Sequence, residues 1–220
     1  MIRSKSRVDR QHMPETREEQ TRADQQHKRE RHLCAEEGVS IRAVRRAYAA
    51  RAGVPYETAP EPKEILAIGE GRAKGNAAAA REAFRSLGEI AGDAIANALT
   101  LVDGLVVLGG GLAGSAALFL PALMEELNST LGGAAGKSVP RLELRAFNLE
   151  DPRERAAFFR GEPRTIEVPF SHRTVPYDPL KRVGVGLSRL GTSRAVALGA
   201  YAFALDALDR RVAANRDRVT

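Results

Sequence analysis

One cysteine, Cys34, stands in a chain of 220 residues. A lone cysteine excludes an internal disulfide framework, and it excludes a multi-cysteine zinc site built within this chain. Aromatic residues make up only 5% of the sequence, which leaves few rings to stack on nucleic-acid bases. No apolar run approaches the ~20 residues of a membrane-spanning helix. The start, MIRSKSRVDR, is basic, but no apolar stretch follows it as a secretory signal requires. These absences predict a cytoplasmic protein with no membrane partner. The net charge is +6, with arginine well in excess of lysine. Acidic residues are interleaved with the arginines almost throughout, so the excess reads as a solvated surface and not as a nucleic-acid-binding stripe.

Residues 1–32 form a polar leader rich in Arg, Gln and Glu. Such a stretch cannot bury enough apolar surface to offset the entropy of ordering. From Leu33 the composition becomes globular. Ser40 is placed to cap a helix carrying Ile41, Val44 and Tyr48 as one stripe, with Gly53 at its end. Lys63 to Arg72 predicts a short helix. Residues 77–102 give the strongest helical signal, with Phe84, Leu87, Ala91, Ala94, Ile95 and Ala98 at helical spacing. Gly88, Gly92 and Ala96 make a second, smooth face of that helix. Glycine weakens a helix, so the face predicts close approach, either by another backbone or by a ligand. LVVL then reads as a short buried strand. PALMEELNSTLGG reads as a helix with Pro121 in its first turn, and RLELRAF as a strand. DPRERAAFFRG is a short helix or turn, RTIEVPF a strand, and GTSRAVALGAYAFALDALDRRV a long closing helix. Residues 209–220 read as a charged tail. Alternating strands and helices predict an α/β layered domain.

VVLGGGLAGS, residues 106–115, matches G-x-G-x-x-G through Gly109, Gly111 and Gly114. A dinucleotide turn also needs an acid at the end of the next strand, about 20 residues on. At that distance stand Glu125 and Glu126, inside a helix. A second decoy, GGAAGKS at 132–138, has Leu131 where a phosphate-binding loop needs its first glycine. It also follows a helix and precedes a strand, the reverse of the required order. What remains for LGGG is a turn without Cβ atoms at the end of a strand. Backbone there can lie against a flat ring or a ribose.

RSLGEIAGDAIANALTLVDGLVVLGGGLAG resembles the C-terminal half of the ROK family (repressors, open reading frames and sugar kinases). VGVGLSRLGTSRAVALGAYAFAL resembles the family's closing strand and helix. CAEEGVSIRAVRRAYA resembles the helix after its zinc and sugar region. The resemblance covers residues 33–208. It implies the C-terminal lobe of an actin-like ATPase (ribonuclease H-like) fold, with long helices packed on a small mixed sheet. It further implies a glucokinase-like enzyme that moves a phosphoryl group from ATP, with Mg²⁺, to a hexose hydroxyl, and that forms a homodimer. Gly109, Gly110 and Gly111 match the turn that lies against adenosine. Glu36 matches a glutamate that accepts hydrogen bonds from sugar hydroxyls; a carboxylate at a helix start is the plainer reading of the same residue.

The departures are specific. Gly104 follows Asp103 where the family pattern has proline. Cys34 alone remains of the zinc cysteines, so no zinc is expected. Residues 1–32 hold neither the phosphate loop nor the Asn-Asp pair that carries the family's general base. Nor do His12, His27, His32 or His172 form a readable catalytic set. The expectation is therefore a lobe that binds the adenosine side and is inactive as a kinase alone. A non-catalytic, sugar-responsive regulator of the same family is the alternative.

Overall fold

The computed structural model describes residues 35–132 and 136–216. The polar leader, Cys34, His12, His27 and His32 lie outside the described residues. The chain opens with α1 (Ala35–Gly38) and α2 (Ile41–Ala52). Ser40 caps α2 by accepting a hydrogen bond from the Ala43 amide, and Gly53 ends it with φ +69°. Val44 and Tyr48 are buried as the stripe predicts, whereas Ile41 faces solvent. A short 3₁₀ turn leads to α3 (Pro62–Gly69), then to α4 (Ala77–Leu99), which Asn76 caps through the Ala79 amide. Strand β1 (Val106–Leu108), the glycine turn and α5 (Ala116–Leu127) follow.

The smooth face of α4 is a contact with another helix. A methyl group on Gly88 would overlap the Phe119 carbonyl of α5, and one on Gly92 would meet the Glu126 side chain and the Leu123 carbonyl. The ligand alternative for this face is thereby replaced by tight helix packing. Around it Phe84, Ile65, Ile68, Leu123 and Leu127 form a buried core. Arg141 fastens the same pair of helices. Its guanidinium donates to Asp93 Oδ1 at 2.5 Å and Asn97 Oδ1 at 3.1 Å on α4, and stands 3.6 Å from Glu126 on α5.

Helix α5 begins earlier than the sequence suggests. Pro121 lies inside it rather than in its first turn, because a 3₁₀ turn over Ala113–Ser115 winds directly into Ala116. Pro121 is exposed. The helix also stops at Leu127, and Thr130–Gly132 forms β2, paired antiparallel with β3 (Ser138–Pro140). GGAAGKS thus spans a hairpin, not a strand–loop–helix unit; residues 133–135 within it lie outside the description.

Three strands make the main sheet, in the order β1–β7–β4, with β4 at Arg145–Asn148 and β7 at Arg182–Leu187. Both pairings are parallel. The sheet is therefore parallel rather than mixed; antiparallel pairing is confined to separate two-stranded hairpins. Phe147, Val183 and Val185 carry the core into the sheet. LVVL is less buried than its composition suggests. It is an edge strand, with Leu105 64% and Val107 67% exposed on the uncovered face.

Between β4 and β7 come α6 (Pro152–Arg160) and a hairpin of β5 (Arg164–Glu167) and β6 (Thr174–Tyr177). Asp178 ties the hairpin's base to β7. It accepts from the Glu162 and Leu180 amides and from the Arg182 guanidinium at 2.5 Å. The closing helix α7 (Thr192–Arg216) runs through the expected tail. It does not pack on the sheet as a core helix would: Tyr201 is 73% and Phe203 76% exposed.

Two outcomes follow from this packing. Gly88→Ala should destabilise the fold by about 1–3 kcal/mol through overpacking, although alanine gains about 1 kcal/mol of helix propensity. Denaturant unfolding reads the net sign, and a stabilised variant would mean that the α4–α5 contact is not this close. The Arg182 guanidinium beside Asp178 holds its carboxyl below the usual carboxylate range. A depressed carboxyl pKa stabilises fully above the unfolded value, and this support is lost as pH falls through the folded one. NMR titration of Asp178 should show the low midpoint, and Arg182→Gln should return it towards the ordinary aspartate range.

Candidate functional site

Parallel strands bring their carboxyl ends to one edge of a sheet, where α/β proteins receive ligands. Here that edge gathers three loops: Gly109–Gly111 after β1, Leu149–Asp151 after β4, and Ser188–Gly191 after β7. The Ser188 amide donates to the Leu108 carbonyl at 2.8 Å, extending the β1–β7 ladder by one residue. This sets Ser188 against Gly109, with its Cβ 3.6 Å from where a Gly109 Cβ would stand. Gly110 has φ +97°, a conformation that strains any residue with a side chain. Open space surrounds the Cβ positions of Gly110 and Gly111. The backbone is thus bare where the sequence places an adenosine cradle.

Two residues of this edge carry charge that sequence reasoning did not single out. Glu150 accepts from the Leu187 amide at 2.9 Å with one oxygen and from Arg189 at 2.8 Å with the other. Asp151 accepts from the Arg153 and Glu154 amides and caps α6. Glu150 and Arg189 each follow a strand closely. Once β4 and β7 are known to be parallel neighbours, their loops must meet; a sequence cannot show that pairing.

Glu36 lies apart from the turn. It is exposed in the first turn of α1, which stands against α4 where Gly38 meets Ile90. Among the described residues no hydrogen bond or ion pair engages Glu36, whereas its neighbour Glu37 binds Arg42 and Arg46. His172 sits in the β5–β6 turn with φ +52°, exposed and 3.6 Å from Glu167, the loop position its sequence context suggests. Two shallow depressions, one lined by Asn128, Pro140 and Arg145 and one by Asp103, Phe158 and Lys181, lie at the amino ends of the strands. They are remote from the chemistry expected at the carboxyl edge. No helix among the described residues is long and apolar enough to cross a membrane.

A glycine turn at the carboxyl edge of a parallel sheet places the chain among the α/β folds that receive ligands at that edge. Comparison with known proteins narrows the class. The ROK family profile matches residues 29–152, more than half of the sequence, and the chain belongs to that family. Among solved structures, a glucokinase from Parabacteroides distasonis ATCC 8503 is similar, with 46% identity and a TM-score of 0.69. The match covers 78% of this chain and 46% of that one, so the chain spans about half the length of its solved relative. No curated protein sequence matches.

The two open glycines separate conformation from space. Gly110→Ala should cost about 1–2 kcal/mol for the left-handed backbone. Gly111, outside that region, should accept alanine with little change. Parallel unfolding curves check this, and equal costs would contradict the turn geometry.

Proposed function

We propose that this chain is the C-terminal, adenosine-side lobe of an ATP-dependent hexose kinase of the glucokinase kind. The observation that carries the reading is the Gly109–Gly111 turn at the carboxyl edge of the sheet, in a ROK chain with a glucokinase as structural neighbour. Gly109, Gly110 and Gly111 fit an adenosine, because main chain without Cβ atoms admits a ring or ribose to van der Waals contact. ATP supplies the transferable phosphoryl group when bound; this lobe's part is to hold and orient its nucleoside. Glu36 fits a sugar ligand by chemistry, since a carboxylate accepts from two neighbouring hydroxyls. Of the carboxylates at this edge, Glu150 is engaged through both oxygens and Asp151 through Oδ1.

Phosphoryl transfer needs held phosphates, an oriented hydroxyl and a general base. Residues 1–32 hold neither the family's phosphate loop nor its Asn-Asp pair. A kinase built on this lobe therefore draws its base and phosphate loop from elsewhere. The exposed apolar side chains of β1 and α7 support a lobe that works against further polypeptide. The same exposure favours, as a second reading, a non-catalytic interaction module of the family. Homodimerisation and a cytoplasmic setting accompany the kinase reading.

Calorimetry with ATP and glucose, beside a coupled assay of ADP release, tests these readings. ATP binding that Gly111→Val removes, with no glucose-dependent turnover, is the expected result. Turnover by this chain alone would refute the inactive-lobe reading. Failure to bind ATP at millimolar concentration would refute the adenosine role and favour the interaction module.

A further inference from the structure

We propose that Arg189, in the loop after β7 that borders the glycine turn and paired with Glu150 on the β4 side of that loop, receives a phosphate of the bound nucleotide. This rests on the reading of Gly109–Gly111 as an adenosine cradle and names the part of the ligand that its neighbour would take.

The last residue of β7 and the two that follow it are each restrained. Leu187 donates its amide to Glu150 at 2.9 Å, Ser188 donates its amide to Leu108 at 2.8 Å, and Arg189 reaches Glu150 at 2.8 Å. Glu150 is thus divided between backbone and guanidinium, joining the loop after β4 to the loop after β7. The pair gains little stability for its own sake, since the Arg189 side chain is 77% exposed and solvent screens it. What the arrangement achieves is order. A long cationic side chain is held beside Ser188, which itself lies against Gly109, so less freedom is lost when a ligand arrives. Guanidinium has five N–H donors in a planar fork. Glu150 is the polar partner of Arg189 among the described residues, and donors remain for phosphate oxygens. The 25-residue helix α7 begins at Thr192, directly after this loop. Its first amides add positive potential to the same place. Stacking on the base would use the cation but not this field, so phosphate is the better match.

Calorimetry on the full chain with ATP, adenosine and inorganic tripolyphosphate tests the assignment. Arg189→Ala should weaken ATP about tenfold, the scale of a charged hydrogen bond, and leave adenosine unchanged. Arg189→Lys should recover part of the loss. Glu150→Gln keeps an acceptor for the Leu187 amide but not the charge, and should weaken ATP less than Arg189→Ala does, again sparing adenosine. Equal losses for ATP and adenosine would overturn the phosphate role. So would unchanged ATP binding in Arg189→Ala while Gly111→Val abolishes it; the adenosine cradle would then stand and this inference fall. Tripolyphosphate that needs Arg189 but binds alongside ATP would reveal a separate anion site and equally overturn it. If the unaltered chain binds neither ATP nor adenosine, the cradle itself fails and the inference with it.

Discussion

The close approach of α4 to α5 is the constraint on which the rest of the molecule depends. Gly88 and Gly92 let the two helices meet at backbone distance, which closes the core around Phe84, Leu123 and Leu127. Glycine in a helix interior costs stability. The cost is offset because packing at close range adds many small dispersion contacts along both helices. Arg141 then reaches both helices from the segment leading into β4. With its side chain 12% exposed, it is a largely buried cation whose partners must stay in place, since removing one leaves charge uncompensated.

That contact also fixes the site. Helix α4 feeds β1, and the glycine turn returns the chain into α5, so the turn is the link between the two tightly packed helices. Its position is set by the core beneath it, not by its own contacts, which are few. A turn supported from below and open above can present backbone to a ligand without flexible side chains of its own. The same logic applies on the β7 side, where the extended ladder and Glu150 hold the next loop against the turn. Order at this edge comes from hydrogen bonds between loops, while the stability that permits it comes from apolar packing elsewhere.

Local signals carried much of this architecture in the sequence. Ser40 caps its helix as residue type and the pattern that follows indicate; Asn76 and Asp151 cap helices in the same way, though neither was singled out in the sequence. The helix of 77–102 was legible because its apolar spacing is strong, and its smooth face was legible as a contact without revealing the partner. Pairing was not legible. The parallel β1–β7–β4 order is a relation between segments far apart in the chain, so the meeting of Glu150 with Arg189 had no local signature. Pro121 misled because proline is favoured in the first turn of a helix. On the exposed face of α5 it is tolerated further in. Val107 misled because an apolar strand residue reads as buried, whereas β1 lies at the edge with one face uncovered.

That uncovered face gives the architecture its functional sense. Parallel sheets are normally covered on both faces, and a helix apolar all round is normally enclosed. Here Leu105 and Val107 of one face, and Val196, Tyr201 and Phe203 of α7, are exposed together. The core beneath the glycine turn is complete, so the incompleteness is not spread evenly. A lobe organised in this way can keep its glycine turn ordered while leaving other surfaces uncovered. Bare backbone at the turn and a carboxylate, Glu150, committed through both its oxygens are different resources, and this edge holds them on either side of β7.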